Sequence, residues 1–214
     1  LVPGAGPTQE LARRLARPDK ISVPPSTPHS RRTAMSYPEF VYITESGPRD
    51  GLQNEKQTVP TDVKIELCKR LLDAGITQLE ATSFVSPKWV PQMADAAQVM
   101  AAIPRNDKVT VSVLTPNMKG LEGAIAAGAD EIVIFGAATE AFSKKNINCT
   151  IAESVERFRP VAEEAIKNNI RVRAAVSVAF GCPYQGEVPI ADIVSLTERF
   201  KEMGCHEIGI ADTI

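Results

Sequence analysis

The sequence predicts an α/β chain organised as a TIM (β/α)8 barrel, with about six of the strands present. Three observations predict it. Apolar strand-like runs alternate steadily with helical patterns from residue 40 onward, which implies a parallel sheet with right-handed crossovers. The first strand ends in Gly47-Pro48-Arg49-Asp50-Gly51, where a doubly wound dinucleotide-binding domain would carry a G-x-G-x-x-G turn. Polar residues close several strands (Arg49/Asp50, Glu80, Thr115/Asn117, Ser177 and Asp212), and functional residues spread over many strand ends are the barrel signature.

Taken in chain order, the apolar run Phe40-Val41-Tyr42-Ile43-Thr44 gives a strand over 40–45, and a helical pattern follows over 61–74. Ala74-Gly75 closes that helix and feeds a strand over 77–81, as expected of a glycine just past a helix end. A helix over 89–103 precedes a strand over 109–114. The next helix, 118–127, closes on Ala127-Gly128 before a strand over 131–135. A helix over 152–168 opens near Ser154 and Glu156, and a strand follows over 171–179. Pro189 suits the first position of a helix over 189–203, and the sixth strand occupies 206–211. The sequence reaches Asp212-Thr213-Ile214 just past that strand, two short of a closed barrel.

Residues 1–38 differ from the rest. They hold 7 of the 16 prolines and six Lys/Arg against Glu10 and Asp19, about +4, which leaves about −6 for the body. This composition predicts a disordered leader, either a non-native extension preceding a start at Met35 or an Arg-containing transit peptide. The overall charge of −2 gives no reason to expect a nucleic-acid partner, and no apolar run reaches transmembrane length. The four cysteines, Cys68, Cys149, Cys182 and Cys205, are widely spaced and read as reduced thiols of a cytosol-like compartment. His29 and His206 are the only histidines, so the body cannot build a two-histidine metal site.

The chemistry concentrates in Gly47-Pro48-Arg49-Asp50-Gly51-Leu52-Gln53-Asn54. An arginine beside an aspartate at a strand end brings a fixed cation and a hard oxygen ligand to one point. That pairing suits an enzyme holding a divalent metal and stabilising an oxyanion. Gly47 and Gly51 allow the tight backbone this requires.

The segment Gly47–Glu55, followed by Glu80-Ala-Thr-Ser-Phe-Val-Ser-Pro-Lys-Trp-Val-Pro-Gln-Met93, resembles the 3-hydroxy-3-methylglutaryl-CoA lyase family. So do Leu114–Gly120, Phe135–Ala138, Lys144-Lys-Asn-Ile-Asn-Cys149 and Gly181-Cys-Pro-Tyr184, and the resemblance runs from about Pro38 to Ile214. It implies that 39–214 is part of a TIM-barrel catalytic domain. It also implies a metal-dependent carbon–carbon lyase, with Mg²⁺ or Mn²⁺, that cleaves 3-hydroxy-3-methylglutaryl-CoA to acetyl-CoA and acetoacetate. In that reading Arg49 contacts substrate and neutralises the enolate, Asp50 is a metal ligand, and Glu80 and Asp212 are further acidic active-site residues. Gln53 hydrogen-bonds around the Arg/Asp pair, and Lys144 and Lys145 on a βα loop meet CoA phosphates. An acyl-CoA is the implied partner, without nucleic acid or membrane, and the full-length enzyme is expected to be a homo-oligomer. Its location would be cytoplasmic, or the mitochondrial matrix if the leader is a transit peptide.

The family's His-x-His pair, metal-ligating asparagine and Gly-rich cysteine loop come after Ile214, so this stretch alone is expected to be inactive. Ala175, Ser46 and Val178 depart from the commonest family pattern. Two other readings stay open: an acetyl-CoA-condensing synthase of the isopropylmalate/homocitrate type, and a non-catalytic truncated binding partner. Cys182 reads as a buried small hydrophobe and His206 as structural or exposed.

Overall fold

The computed structural model describes residues 37–214, so the leader expected over 1–38 lies outside the described residues except for Tyr37 and Pro38. The unit from Val41 to Ile214 contains every strand and helix considered below. Six strands lie side by side in sequence order: β1 Thr44–Glu45, β2 Gln78–Ser83, β3 Thr110–Leu114, β4 Glu131–Ala137, β5 Arg171–Ser177 and β6 Glu207–Ile210. Every neighbouring pair is parallel. A doubly wound sheet reverses its strand order at a switch point, and this order never reverses. The chain therefore forms six consecutive units of the barrel arrangement, as the alternating pattern predicts.

Six helices cross between strands: α1 Thr61–Asp73, α2 Ala96–Ala102, α3 Met118–Ala126, α4 Glu140–Ile147, α5 Ile151–Lys167 and α6 Ile190–Glu202. The strands sort their side chains by period two. Leu79, Ala81, Val111, Val113, Ile132, Ile134, Val172, Ala174 and Val176 are buried in the core beneath the helices. The longest helix, α5, meets them with a stripe of Val155, Phe158, Val161, Ala162 and Ala165, the spacing of one helical face. The opposite face of the sheet carries charge: Glu80 on β2, Glu131 on β4 and Arg171 and Arg173 on β5. Apolar burial thus fixes the sheet from outside and leaves its inner face for polar chemistry.

Local signals explain most helix ends. Ala74 and Ala127 close α1 and α3, and the glycines after them take left-handed backbone, Gly75 at φ +98° and Gly128 at φ +65°. Four expectations need correction. The strand expected over 40–45 pairs with β2 only at Thr44 and Glu45, while Val41, Tyr42 and Ile43 are exposed. β1 is a sheet edge with a single neighbour, and an apolar run without a partner on both sides does not by itself make a strand. The helix expected over 89–103 is delayed: Pro91–Met93 makes a 3₁₀ turn and α2 starts at Ala96. The Asp95 carboxylate at that start is taken by Lys64 Nζ and Thr61 Oγ1, which ties α1 to α2.

The loop expected around Lys144 is the helix α4, capped by the Thr139 hydroxyl accepting from Phe142 N–H. Finally, α5 opens at Thr150, upstream of Ser154. Thr150 and Glu153 form a reciprocal capping box, and Ser154 Oγ donates to the Ile151 carbonyl instead.

All four cysteines are buried free thiols. Burial pushes Cys68 up to about 11 and Cys205 up to about 12, so both are poor nucleophiles. No helix among the described residues is long and apolar enough to cross a membrane.

Replacing Thr150 by Ala removes the acceptor for Glu153 N–H and is expected to lower the unfolding free energy by about 1 kcal/mol, read by urea denaturation. The Glu153 carboxyl is held low by hydrogen bonds from the Thr150 backbone and hydroxyl. A group lowered on folding stabilises above its unfolded pKa and loses that contribution as pH falls through its folded one. Glu153→Gln should therefore lower Tm at pH 7 and narrow the gap from the parent in acid.

Candidate active site at the carboxyl ends of the strands

The site begins where β1 ends. Gly47–Gly51 winds into one π-helical turn, with Arg49 N–H and Asp50 N–H both donating to the Ser46 carbonyl at 3.1 and 2.7 Å. Gly47 N–H donates to Glu45 Oε1 at 2.6 Å, and a Cβ at Gly47 would lie 2.7 Å from that oxygen. A side chain at Gly47 would push the Glu45 carboxylate off this N–H, so glycine lets the Glu45 side chain close over the start of the turn.

Arg49 turns back toward the sheet. Its Nε donates to Glu80 Oε1 at 2.5 Å and its Nη1 to Asp50 Oδ1 at 2.5 Å. Glu80 is 3% exposed, and its other oxygen accepts from Arg173 Nη2 at 2.8 Å. Arg173 Nε in turn donates to Glu131 Oε1 at 3.0 Å. Glu131 Oε2 faces Arg171 at 3.6 Å and His206 Nε2 at 3.2 Å. A ladder of alternating charge therefore runs across the inner face: Arg49, Glu80, Arg173, Glu131. Burial by itself would lower the Arg173 pKa, but the charges and hydrogen bonds of Glu80 and Glu131 outweigh it and raise the pKa instead. A β-bulge between Glu80 and Thr82 lets β2 slip against β3 at the residue that carries the carboxylate.

Asp50 is largely exposed and meets Arg49 through Oδ1. Among the described residues no group of three or more His, Cys, Asp or Glu gathers to hold a metal. The donors present are one carboxylate and do not by themselves complete a coordination shell for a divalent ion.

Beside this cluster lies a cleft of about 700 Å³, lined among others by Gln53, Trp89, Asn117, Phe135, Lys145 and Arg157. Gln53 is two residues past the π-helical turn, and its Oε1 is a buried acceptor with no hydrogen-bond partner among the described residues. A buried acceptor left unmade is costly, which marks it as waiting for a donor. Lys145 lines the cleft from α4, and Lys144 is exposed on the same helix without lining it. Asp212 is exposed just beyond β6. Its neighbour Thr213 accepts from Val178 N–H at 2.8 Å. Val178 is buried with φ +54°, a left-handed conformation that a β-branched side chain rarely takes, so the end of β5 is strained where it meets this segment. Cys182 is 4% exposed with its Sγ 3.1 Å from Thr139 Oγ1, and His206 Nδ1 donates to the Val172 carbonyl at 2.9 Å.

The structure thus joins Arg49, Asp50 and Glu80 directly and puts Gln53 and Lys145 on one cleft. Sequence reasoning missed Arg173, Glu131 and Arg157. Arg171-Val172-Arg173 was the available signal, because charge at alternate positions of a buried parallel strand must face something other than the helices.

Residues 40–214 match the HMGL-like family. The chain is 54% identical over 177 residues to the human mitochondrial hydroxymethylglutaryl-CoA lyase, an alignment covering 83% of this chain and 54% of the human protein. It superposes on the HMG-CoA lyase of Brucella melitensis with a TM-score of 0.81 and 56% identity, over 83% of this chain and 62% of that one. An HMG-CoA lyase from Acinetobacter baumannii, solved with coenzyme A and 3-methylmalate, aligns at 35% identity and a TM-score of 0.76, over 80% and 56% of the two chains. The chain spans about half the length of the curated relatives it matches.

Replacing Glu80 by Ala leaves Arg49 and Arg173 facing each other without their shared counter-ion. The expected loss is about 3–5 kcal/mol of unfolding free energy in urea titrations. A loss below about 1 kcal/mol contradicts the ladder.

Proposed function

The chain belongs to the HMGL-like family, and from that premise we propose that its protein is a carbon–carbon lyase cleaving 3-hydroxy-3-methylglutaryl-CoA to acetyl-CoA and acetoacetate. One observation carries the reading: a buried carboxylate clamps Arg49 at the end of β1, beside an exposed Asp50, next to a cleft with a waiting acceptor.

In the retro-Claisen reaction a base takes the proton of the substrate's tertiary hydroxyl. The oxygen's electrons form the ketone of acetoacetate, the breaking C–C bond leaves its pair on the acetyl thioester as an enolate, and protonation of the enolate carbon then gives acetyl-CoA. Arg49 spends Nε on Glu80 and Nη1 on Asp50, which leaves Nη2 to meet the enolate oxygen. A guanidinium suits this because it stays charged and donates in a fixed plane. With both oxygens taken by guanidinium groups, Glu80 sets the electrostatics of the site and is not placed to accept the hydroxyl proton. Gln53 Oε1 would accept a hydrogen bond from the bound substrate. Asp50 would give one carboxylate to a Mg²⁺ or Mn²⁺ ion, and such an ion, when bound, polarises substrate oxygens. Lys145 and Arg157 supply cations at the cleft rim for CoA phosphates, with Lys144 nearby on the same helix.

The test uses the complete gene product with 3-hydroxy-3-methylglutaryl-CoA and Mg²⁺ or Mn²⁺. Acetyl-CoA and acetoacetate in equal amounts are expected. CoA release from acetyl-CoA plus a 2-oxo acid, without that cleavage, would overturn the reading in favour of a condensing synthase. Arg49→Lys, which keeps the charge but loses the fork, is expected to lower kcat about 10²–10³-fold.

A further inference from the structure

We infer that Arg173 is a positioning residue that sets the reactivity of Arg49 through the Glu80 carboxylate they share. The inference rests on the lyase reading for its catalytic consequence, and the geometry behind it is independent of that reading. Arg173 leaves β5 on the inner face, 14% exposed, and reaches Glu80 Oε2 with Nη2 and Glu131 Oε1 with Nε. Among the described residues its hydrogen-bond partners are the two glutamates and, at 3.5 Å, Ser112 Oγ.

Two consequences follow for Arg49. First, Glu80 cannot offer both oxygens to Arg49, because Arg173 holds one of them. Arg49 therefore binds Glu80 through Nε and reaches Asp50 with Nη1. Second, Glu80's charge is divided between two cations, so Arg49 keeps more of its positive field for an anion in the site. Without Arg173, Glu80 is free to take Arg49 in a bidentate pair, the preferred carboxylate–guanidinium geometry, and to draw it away from the reacting oxygen. Misplacing a charged group by about 1 Å is enough to cost about 10²-fold in rate.

The test compares three variants of the complete gene product. Arg173→Met is expected to lower kcat about 10²-fold with KM within about threefold of the parent, since the loss falls on the transition state. It also takes from buried Glu131 the guanidinium on its Oε1, so this variant is expected to melt below the parent. Arg173→Met/Glu131→Gln removes that under-compensated charge and is expected to melt nearer the parent while kcat stays low. Arg173→Lys reaches one glutamate with a charge but not both, and is expected to regain only part of the rate. Recovery of kcat together with Tm in the double variant would overturn the inference and make Arg173 structural only. If the parent does not cleave the carbon–carbon bond of 3-hydroxy-3-methylglutaryl-CoA, the functional reading fails, and the positioning is read separately by NMR exchange of the Arg49 Nη protons. In the double variant one of them takes up the Glu80 oxygen that Arg173 held, so it is expected to exchange about tenfold more slowly than in the parent, and an unchanged rate would overturn the inference.

Discussion

The site depends on a carboxylate held between two guanidiniums. Glu80 is buried on the inner face of the sheet, where an unpaired charge costs several kcal/mol to desolvate. Two oxygens meet two cations, Arg49 and Arg173, and Arg173 is balanced beyond by Glu131. Because each charge neighbours its opposite, the group tolerates burial as a set, although no single member would. Such a ladder adds little net stability compared with apolar packing, but it permits only one arrangement. That arrangement fixes the direction in which Arg49 points.

The remainder of the fold supplies rigidity for this arrangement. Apolar residues at every second strand position lock β2 to β5 against α1 to α6, so the alternate positions stand at fixed spacing on the inner face. The backbone at the strand ends then adds aim. Gly47 lets the chain turn within reach of Glu45, and the bulge in β2 adjusts Glu80 against β3. Sheet, turn and ladder thus act in sequence, and the cleft beside them is lined by the loops and helices that follow the strands. Strain at Val178 and the orphan acceptor on Gln53 lie in this same region, where local cost is most often offset by function.

Much of this was legible in the sequence, because it rests on local rules. Ala-Gly pairs marked two helix ends, and apolar runs between helical patterns marked β2 to β6. The Gly47–Gly51 segment marked the turn that carries Arg49 and Asp50. What was not legible depends on contacts between distant residues. The first strand was overestimated because Phe40–Ile43 looks apolar, whereas pairing at an edge is decided by neighbours that composition does not reveal. Helix α4 was missed because its cap, Thr139, precedes a polar stretch with little apolar periodicity. Glu80 was read as an acidic site residue, but its division between two arginines requires Arg173, 93 residues away, to be opposite it. The direct role for Asp212 rests on resemblance, and its position just beyond β6 leaves it exposed.

The most direct measurement is a crystal structure of the complete gene product with Mg²⁺ and coenzyme A bound. The account predicts that Glu80 remains between Arg49 Nε and Arg173 Nη2, with Arg49's free nitrogen turned to the ligand. A Glu80 that has left Arg173 to bind the metal or the ligand itself would contradict it.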